Sequence, residues 1–205
     1  MKNIAFLVTA NKTINFYKVS EMLVSNGFDS FWISPSQVWT NWLIKNGVRL
    51  EKILNIPEKI PSIDSSKLTK DESQDIAQVE KENQISFRDL YLMDRVLRKK
   101  NSNYAYRYMF SCFNEIQMFL IQNNISSIFS EQTWNFEIMA TLSGRSIQVD
   151  SYYVDSVRVP DGKDKGRFTF YSGYLLDELP NGSSSEDNNL IFANKFLTDY
   201  RLNKK

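Results

Sequence analysis

The sequence predicts an α/β fold: a Rossmann-like, doubly wound and mostly parallel sheet flanked by helices, built as a single domain. Three observations lead to this prediction. Short apolar runs of strand length alternate with amphipathic helical patterns from the first residues onward. The joints between them are short, which favours parallel strands linked by right-handed crossovers. The same alternation returns near residue 126, so the second half of the chain is expected to extend the same sheet.

The first β-α-β unit is the clearest. Asn3 to Thr9 is an apolar run that predicts a strand. Ile14 to Ser25 carries apolar residues at three- and four-residue spacing, which predicts a helix that ends at Asn26-Gly27. Phe28 to Ile33 then predicts a second strand, closed by Ser34-Pro35.

The middle of the chain is less regular. Gln37 to Asn46 predicts a helix that Gly47 ends, and Val48 to Leu50 predicts a short strand. Residues 55–84 are polar, and they predict an exposed excursion from the domain with one surface helix from Thr69 to Glu82.

The second half resumes the alternation. The predicted elements are helices over Phe87 to Lys99 and Tyr104 to Gln122, a strand over Ser126 to Ser130, a helix from Trp134 to Leu142 that ends at Gly144, a strand over Ile147 to Asp150, and an extended segment over Arg167 to Tyr171. The polar stretch 181–189, which contains Gly182 and three serines, has the composition of a linker. The predicted domain therefore spans residues 1–180, followed by the linker and a terminal helix over residues 190–205.

Composition excludes several function classes. The 205 residues carry a net charge of +1, so no nucleic-acid partner is expected. The chain has no histidine, which excludes Ser-His-Asp and Cys-His catalysis and most zinc and iron sites. One cysteine, Cys112, excludes a disulfide framework, and its place on an apolar helix face predicts an inert thiol. No bound metal is expected, and the reducing cytoplasm is the expected compartment.

In an open parallel sheet, ligands bind beyond the carboxyl ends of the strands, which selects three loops: 9–13, 130–135 and 150–158. The first contains no glycine, so it is neither a dinucleotide fingerprint nor a phosphate loop. Asn11 and Lys12 in this loop are either ligand contacts or parts of a solvated loop with a helix cap.

Glu131 directly follows a predicted strand. Without histidine, a general base must be a carboxylate, lysine, tyrosine or cysteine, and Glu131 is the best-placed carboxylate. The alternative is that Glu131 caps the next helix. Trp134 and Glu137 lie on the first turns of that helix, where an aromatic plane beside carboxylates suits a sugar ring; Trp134 fits a core position equally well.

Other charged residues are further candidates for the site, and most of them have a structural interpretation as well. Asp94 falls inside an apolar helical arc that includes Met93. The alternatives are that Asp94 pairs with Arg98, or that Asp94 or Arg95 lines a polar cleft. Arg107, on the polar stripe of the next helix, is a further cleft candidate. A basic loop lies between Arg158 and Arg167. These two arginines either bind a phosphate group or are solvent-exposed without a ligand role.

Several runs in the chain are similar to the N-terminal, acceptor-side domains of bacterial surface and capsular polysaccharide glycosyltransferases of the GT-B class. These runs are Leu92 to Arg95, Tyr104 to Tyr108, Ile128 to Glu137, and Val157 to Pro160 together with Arg167 to Phe170. The resemblance implies two Rossmann-like domains that face each other across a cleft. It also implies that Glu131 is the catalytic base, and that Asp94, Arg95, Trp134 and Arg158 contact the acceptor or a phosphate.

The same resemblance implies the partners. No cofactor is expected; a nucleotide-sugar is the co-substrate, held mainly by a donor-binding domain or subunit that this chain lacks, so the chain alone is expected to be inactive. The acceptor is a saccharide or lipid-linked saccharide in capsule or lipopolysaccharide synthesis. A lipid-linked acceptor allows peripheral membrane association, at the inner face of the membrane.

Two other functions stay open. The chain fits a non-catalytic Rossmann-like partner or activator of a separate glycosyltransferase. It also fits a stand-alone enzyme for a small molecule, with Glu131 and Asp94 as an acid–base pair, and only that hypothesis predicts turnover by the isolated chain.

Overall fold

A six-stranded sheet forms the centre of the protein, with strand order β3-β2-β1-β4-β5-β6. The computed structural model describes residues 2–131, 133–157 and 167–172, and for 154–157 and 167–172 it describes the backbone alone. The strands are β1 (Lys2–Leu7), β2 (Phe28–Ser34), β3 (Ile53–Asn55), β4 (Ile125–Ser130), β5 (Asp150–Val157) and β6 (Arg167–Ser172). Strands β1 to β5 are parallel and β6 is antiparallel to β5, which confirms the predicted mostly parallel sheet.

Helices cover both faces of the sheet. They are α1 (Lys12–Val24), α2 (Gln37–Lys45), α3 (Ile56–Lys59), α4 (Lys70–Asn83), α5 (Phe87–Met93), α6 (Ser102–Gln122) and α7 (Asn135–Ser146). Strand β1 is central and apolar on both sides: Ile4 and Phe6 pack with α1 and α2, while Ala5 and Leu7 pack with α4 to α7. The predicted doubly wound fold is therefore confirmed.

The predicted strand over Val48 to Leu50 is wrong, because Val48 and Arg49 connect the end of α2 to a 3-10 turn that begins at Leu50. The backbone N–H of Val48 donates to the carbonyl of Leu43, and Gly47 takes a left-handed φ of 90°. This pattern satisfies the free carbonyls of a helix end. The edge strand forms instead at Ile53–Asn55, where it pairs with β2.

The predicted helix from Phe87 to Lys99 is interrupted. Helix α5 ends at Met93, Asp94 takes extended backbone angles, and a 3-10 turn follows at Leu97–Lys99. The reason is local, since the Asp94 side chain accepts main-chain N–H groups that a continuous helix would need for its own bonds. Met93, expected in the apolar arc, is 69% exposed.

Gly144 does not end its helix, contrary to prediction. Helix α7 continues to Ser146, and a Cβ added at Gly144 would lie 2.8 Å from Ile128 Cδ1 of β4. The glycine therefore permits close packing of helix on strand. The predicted strand over Ile147 to Asp150 is also wrong, because Gln148 takes a left-handed φ of 61° and β5 begins only at Asp150.

The stretch from 55 to 84 is less exposed than predicted. Its helix forms as expected, and Thr69 and Glu72 make a capping box at the start of α4. However, Ile76 and Val79 of that helix are buried against the main core, as is Ile56. The predicted linker and terminal helix, residues 181–205, lie outside the described residues. Among the helices that the structure describes, none is long and apolar enough to cross a bilayer.

Candidate functional site

A cavity of about 540 Å³ lies at the carboxyl ends of β1 and β2. The strand order reverses direction between β1 and β4, and the crevice at such a point is the usual ligand site of an open parallel sheet. Five aromatic side chains line the cavity: Trp39, Tyr104, Tyr108, Trp134 and Phe136. Its polar lining residues are Thr9, Ser36, Asp94 and Lys100.

A second cavity of about 550 Å³ lies between edge strand β3 and the later part of α6. None of the residues predicted for the site lines this second cavity. The cavity at the strand ends, which we call the aromatic cavity, is therefore the candidate site. Within the described part of the chain, no group of three or more histidine, cysteine, aspartate or glutamate residues could hold a metal ion.

Asp94 lines the aromatic cavity, but its carboxylate is used by the protein's own backbone. Its Oδ1 accepts the N–H groups of Val96 at 2.7 Å and Leu97 at 2.9 Å, and its Oδ2 accepts that of Asn135 at 3.2 Å. The Asn135 side chain in turn donates to the Leu90 carbonyl at 2.8 Å. Asp94 therefore ties the end of α5 to the start of α7.

This arrangement corrects two predictions about Asp94. Among the ion pairs of the described residues, none joins Asp94 to Arg98. An acid–base pair of Asp94 with Glu131 is not supported either, because both Asp94 oxygens already accept main-chain hydrogen bonds and the residue is buried.

Lys12 and Glu131 form an ion pair beside the aromatic cavity. Lys12 begins α1 after β1, and Glu131 follows β4, so the pair joins the two sides of the point where the strand order reverses. Both side chains are partly exposed, and neither residue lines the cavity itself. Glu131 thus sits where the strand pattern predicted, with its charge balanced by Lys12.

Glu137 is fully buried and cannot contact a ligand, contrary to prediction. Its Oε1 accepts the Thr9 hydroxyl at 2.8 Å, and its Oε2 accepts the backbone N–H groups of Thr133 and of Trp134, the latter at 3.0 Å. Burial raises the pKa of this carboxyl, these hydrogen bonds oppose the rise, and the nearby charge of Glu131 adds to it. Glu137 thus takes the capping role that was the alternative for Glu131.

Trp134 is 38% exposed and lines the cavity, so the alternative of a core position is wrong. The bonds of Glu137 and Asp94 to the residues around it fix the loop that carries the indole. Trp134 is therefore an aromatic side chain that lies on an anchored loop and is open to a ligand.

Arg107 lies away from the cavity and binds the 55–84 stretch, contrary to the prediction of a cleft residue. Its Nε and Nη2 donate to the Glu72 carboxylate at 2.6 and 2.8 Å, in a bidentate pair. Its remaining N–H groups donate to the carbonyls of Asp64, Ser66 and Lys67. All five guanidinium donors are occupied, and the pair with Arg107 lowers the pKa of Glu72 to about 2.

The remaining predicted residues have simple placements. Asn11 is exposed at the start of α1, and its side chain makes no helix-capping hydrogen bond. Arg95 is exposed next to Val96, which lines the cavity. Arg167 begins β6, where the structure describes only its backbone, and Arg158 lies outside the described residues. The ligand roles of these four residues stay predictions.

Sequence reasoning missed most of the aromatic lining. Tyr104 and Tyr108 line the aromatic cavity and lie one helical turn apart near the start of α6. This spacing places both side chains on one face of the helix, so the sequence contained the information that could have identified them. Burial raises the pKa of the Tyr108 phenol, which lies against Cys112, and raises the pKa of the Cys112 thiol to about 12. That shift agrees with the inert thiol expected from the apolar helix face.

No protein-family model and no curated protein sequence matches the chain. Solved structures that match include the crystal structure of MurG from Acinetobacter baumannii, with 10% identity over 74% of this chain and a TM-score of 0.45. Another is UDP-GlcNAc 2-epimerase from Methanocaldococcus jannaschii, with 13% identity over 80% of this chain and a TM-score of 0.45. The matches cover 34% of each of those two chains.

Proposed function

We propose that the chain is the acceptor-binding domain of a GT-B glycosyltransferase that transfers a sugar from a nucleotide-sugar to a saccharide acceptor in bacterial capsule or lipopolysaccharide synthesis. The observation that carries the proposal is the aromatic cavity at the carboxyl ends of the strands. Trp39, Tyr104 and Trp134 line it and are all at least partly exposed, so their aromatic rings are available for stacking. The C–H groups on one face of a sugar ring pack well on such surfaces, while its hydroxyls need polar partners at the rim.

Lys12 and Glu131 supply polar partners close to this cavity. A saccharide hydroxyl that donates to the second carboxylate oxygen of Glu131, Oε2, would leave the ion pair of Oε1 with Lys12 intact. In the proposed transfer, the acceptor oxygen attacks the anomeric carbon of the donor as the bond from that carbon to the diphosphate breaks. The acceptor proton passes to Glu131, and a nucleoside diphosphate leaves.

The donor nucleotide is proposed to bind a second domain or subunit. The loop after β1 contains no glycine, which a phosphate loop needs for close backbone approach. At the start of α7, the N–H groups of Thr133, Trp134 and Asn135 already bind the carboxylates of Glu137 and Asp94. A phosphate would have to displace these carboxylates in order to use that helix terminus.

A non-catalytic partner of a separate glycosyltransferase is the second proposal. The observation that favours it is that Glu131 pairs with Lys12 and does not line the cavity. A cavity that binds saccharide without a base at its wall fits a protein that presents an acceptor to another enzyme.

Saturation-transfer NMR on the full chain tests both proposals, with panels of short bacterial oligosaccharides and of nucleotide-sugars. The acceptor-domain proposal expects saturation transfer to an oligosaccharide, none to a nucleotide-sugar, and a large loss in Trp134→Ala. Met22→Ala, which changes an exposed side chain of α1 away from the cavity, is the matched control and should bind normally.

Glu131→Gln separates the two proposals, because it should retain oligosaccharide binding in both. When a donor-binding partner is present, it should abolish transfer only if Glu131 is the base. Turnover of a nucleotide-sugar by the chain alone would overturn the acceptor-domain proposal. The absence of saturation transfer to any ligand of either panel would overturn both proposals, since both require saccharide binding.

A further inference from the structure

The segment from Leu92 to Lys100 presents exposed apolar side chains among cations. Leu92, Met93 and Val96 are 51%, 69% and 56% exposed. Four cations share the same nine residues: Arg95, Arg98, Lys99 and Lys100, all exposed. Val96 and Lys100 also line the aromatic cavity, together with the partly exposed Trp134. The segment therefore forms part of the rim of the candidate site.

The outward direction of these side chains is fixed by the fold. Leu90, just before the segment, and Leu97, within it, are buried in the core, and Asp94 between them is held by three main-chain N–H groups. The Tyr91 hydroxyl also donates to the carbonyls of Arg98 and Lys100. The apolar side chains are thus displayed at the anchored end of α5 and on the turn that follows it.

The charge of the segment is unbalanced. Its one acidic residue, Asp94, is buried, and both of its carboxylate oxygens accept backbone hydrogen bonds. None of its four cations takes part in the ion pairs found among the described residues. Apolar side chains that enter the acyl boundary, with cations beside them for lipid phosphates, are the pattern of an interfacial membrane anchor.

We propose that the segment from Leu92 to Lys100 docks the protein onto an anionic lipid surface. A second copy of the chain is a poorer occupant, because a symmetric contact through this segment would bring four cations against four. Docking would place the rim of the aromatic cavity at the membrane, where a lipid-carried ligand is held. The proposal rests on the surface of the segment and stands whatever ligand the cavity takes.

Vesicle co-sedimentation of the full chain tests the proposal, with phosphatidylcholine alone and with phosphatidylcholine containing phosphatidylglycerol. We expect binding to the anionic vesicles only. Each Lys or Arg near such a surface contributes about fivefold in partitioning, so Arg95→Gln with Lys99→Gln should weaken it roughly 25-fold. Leu92→Ser with Met93→Ser should weaken it by about tenfold.

Met22→Ser and Lys18→Gln are the matched control, since both change exposed side chains of α1, and this pair should bind as the unchanged protein does. Unfolding midpoints of all variants establish that each is folded. Unchanged partitioning of both segment variants, or equal binding to neutral and anionic vesicles, would overturn the proposal. Saccharide binding is measured without lipid, so the two proposals fail separately.

Discussion

Replacing Asp94 with alanine tests the central structural claim about the candidate site, that this carboxylate joins α5 to α7. The change removes the acceptor for three backbone N–H groups, those of Val96, Leu97 and Asn135. Leu97 and Asn135 are buried, so water cannot readily replace the lost oxygen there.

The magnitude follows from these three bonds. At a net value of about 1 kcal/mol each, Asp94→Ala should lower the free energy of unfolding by about 3 kcal/mol. For a protein of this size, that corresponds to a fall of roughly 6–12 °C in Tm. Asp94→Asn retains one acceptor oxygen but turns an NH₂ group toward one of the donors, so its expected cost is about 1 kcal/mol.

Urea unfolding followed by tryptophan fluorescence measures these differences. Asp75→Ala, an exposed aspartate on α4, is the matched control and should change the free energy of unfolding by less than about 0.5 kcal/mol. Arg98→Ala should be equally mild. If Asp94→Ala is as mild as Asp75→Ala, the reasoning is refuted. If Arg98→Ala costs as much as Asp94→Ala, the reasoning is refuted in favour of an ion pair between these two residues.

Two further changes test the packing and the electrostatics. Gly144→Ala should destabilise the protein by about 1–3 kcal/mol, because the new Cβ would lie 2.8 Å from Ile128 Cδ1 and 3.2 Å from the Val149 carbonyl oxygen. An unfolding midpoint equal to that of the unchanged protein would contradict this packing. Glu72→Gln should change the pH dependence of stability. The folded-state pKa of Glu72, about 2, lies below its ordinary value of 4.5, so its stabilising contribution is full above pH 4.5 and is lost as the pH falls toward 2. The variant should therefore be less stable at pH 7 and lose less stability on acidification; identical slopes of urea midpoint against pH would argue against the pair with Arg107.

The strand positions were the most predictable part of this protein. β1, β2 and β4 lie where apolar runs bounded by turn residues placed them, because an inner parallel strand is buried on both faces and its sequence shows this directly. The location of the site at the strand ends was equally predictable from the β-α-β order.

The sequence by itself thus determined the inner strands β1, β2 and β4, the doubly wound class of the fold and the edge of the sheet at which ligands should bind, since these depend on apolar spacing within short segments. The tertiary structure decided the partner of each polar side chain. The hydrogen-bonded partners are far apart in the sequence: Lys12 and Glu131 are separated by 119 residues, Arg107 and Glu72 by 35, and Asp94 and Asn135 by 41. A helical pattern records which face a residue occupies, whereas a hydrogen bond depends on which donor the folded chain brings within about 3 Å. For that reason Asp94 joins α5 to α7, Glu137 is buried, and Trp134 lines an open cavity.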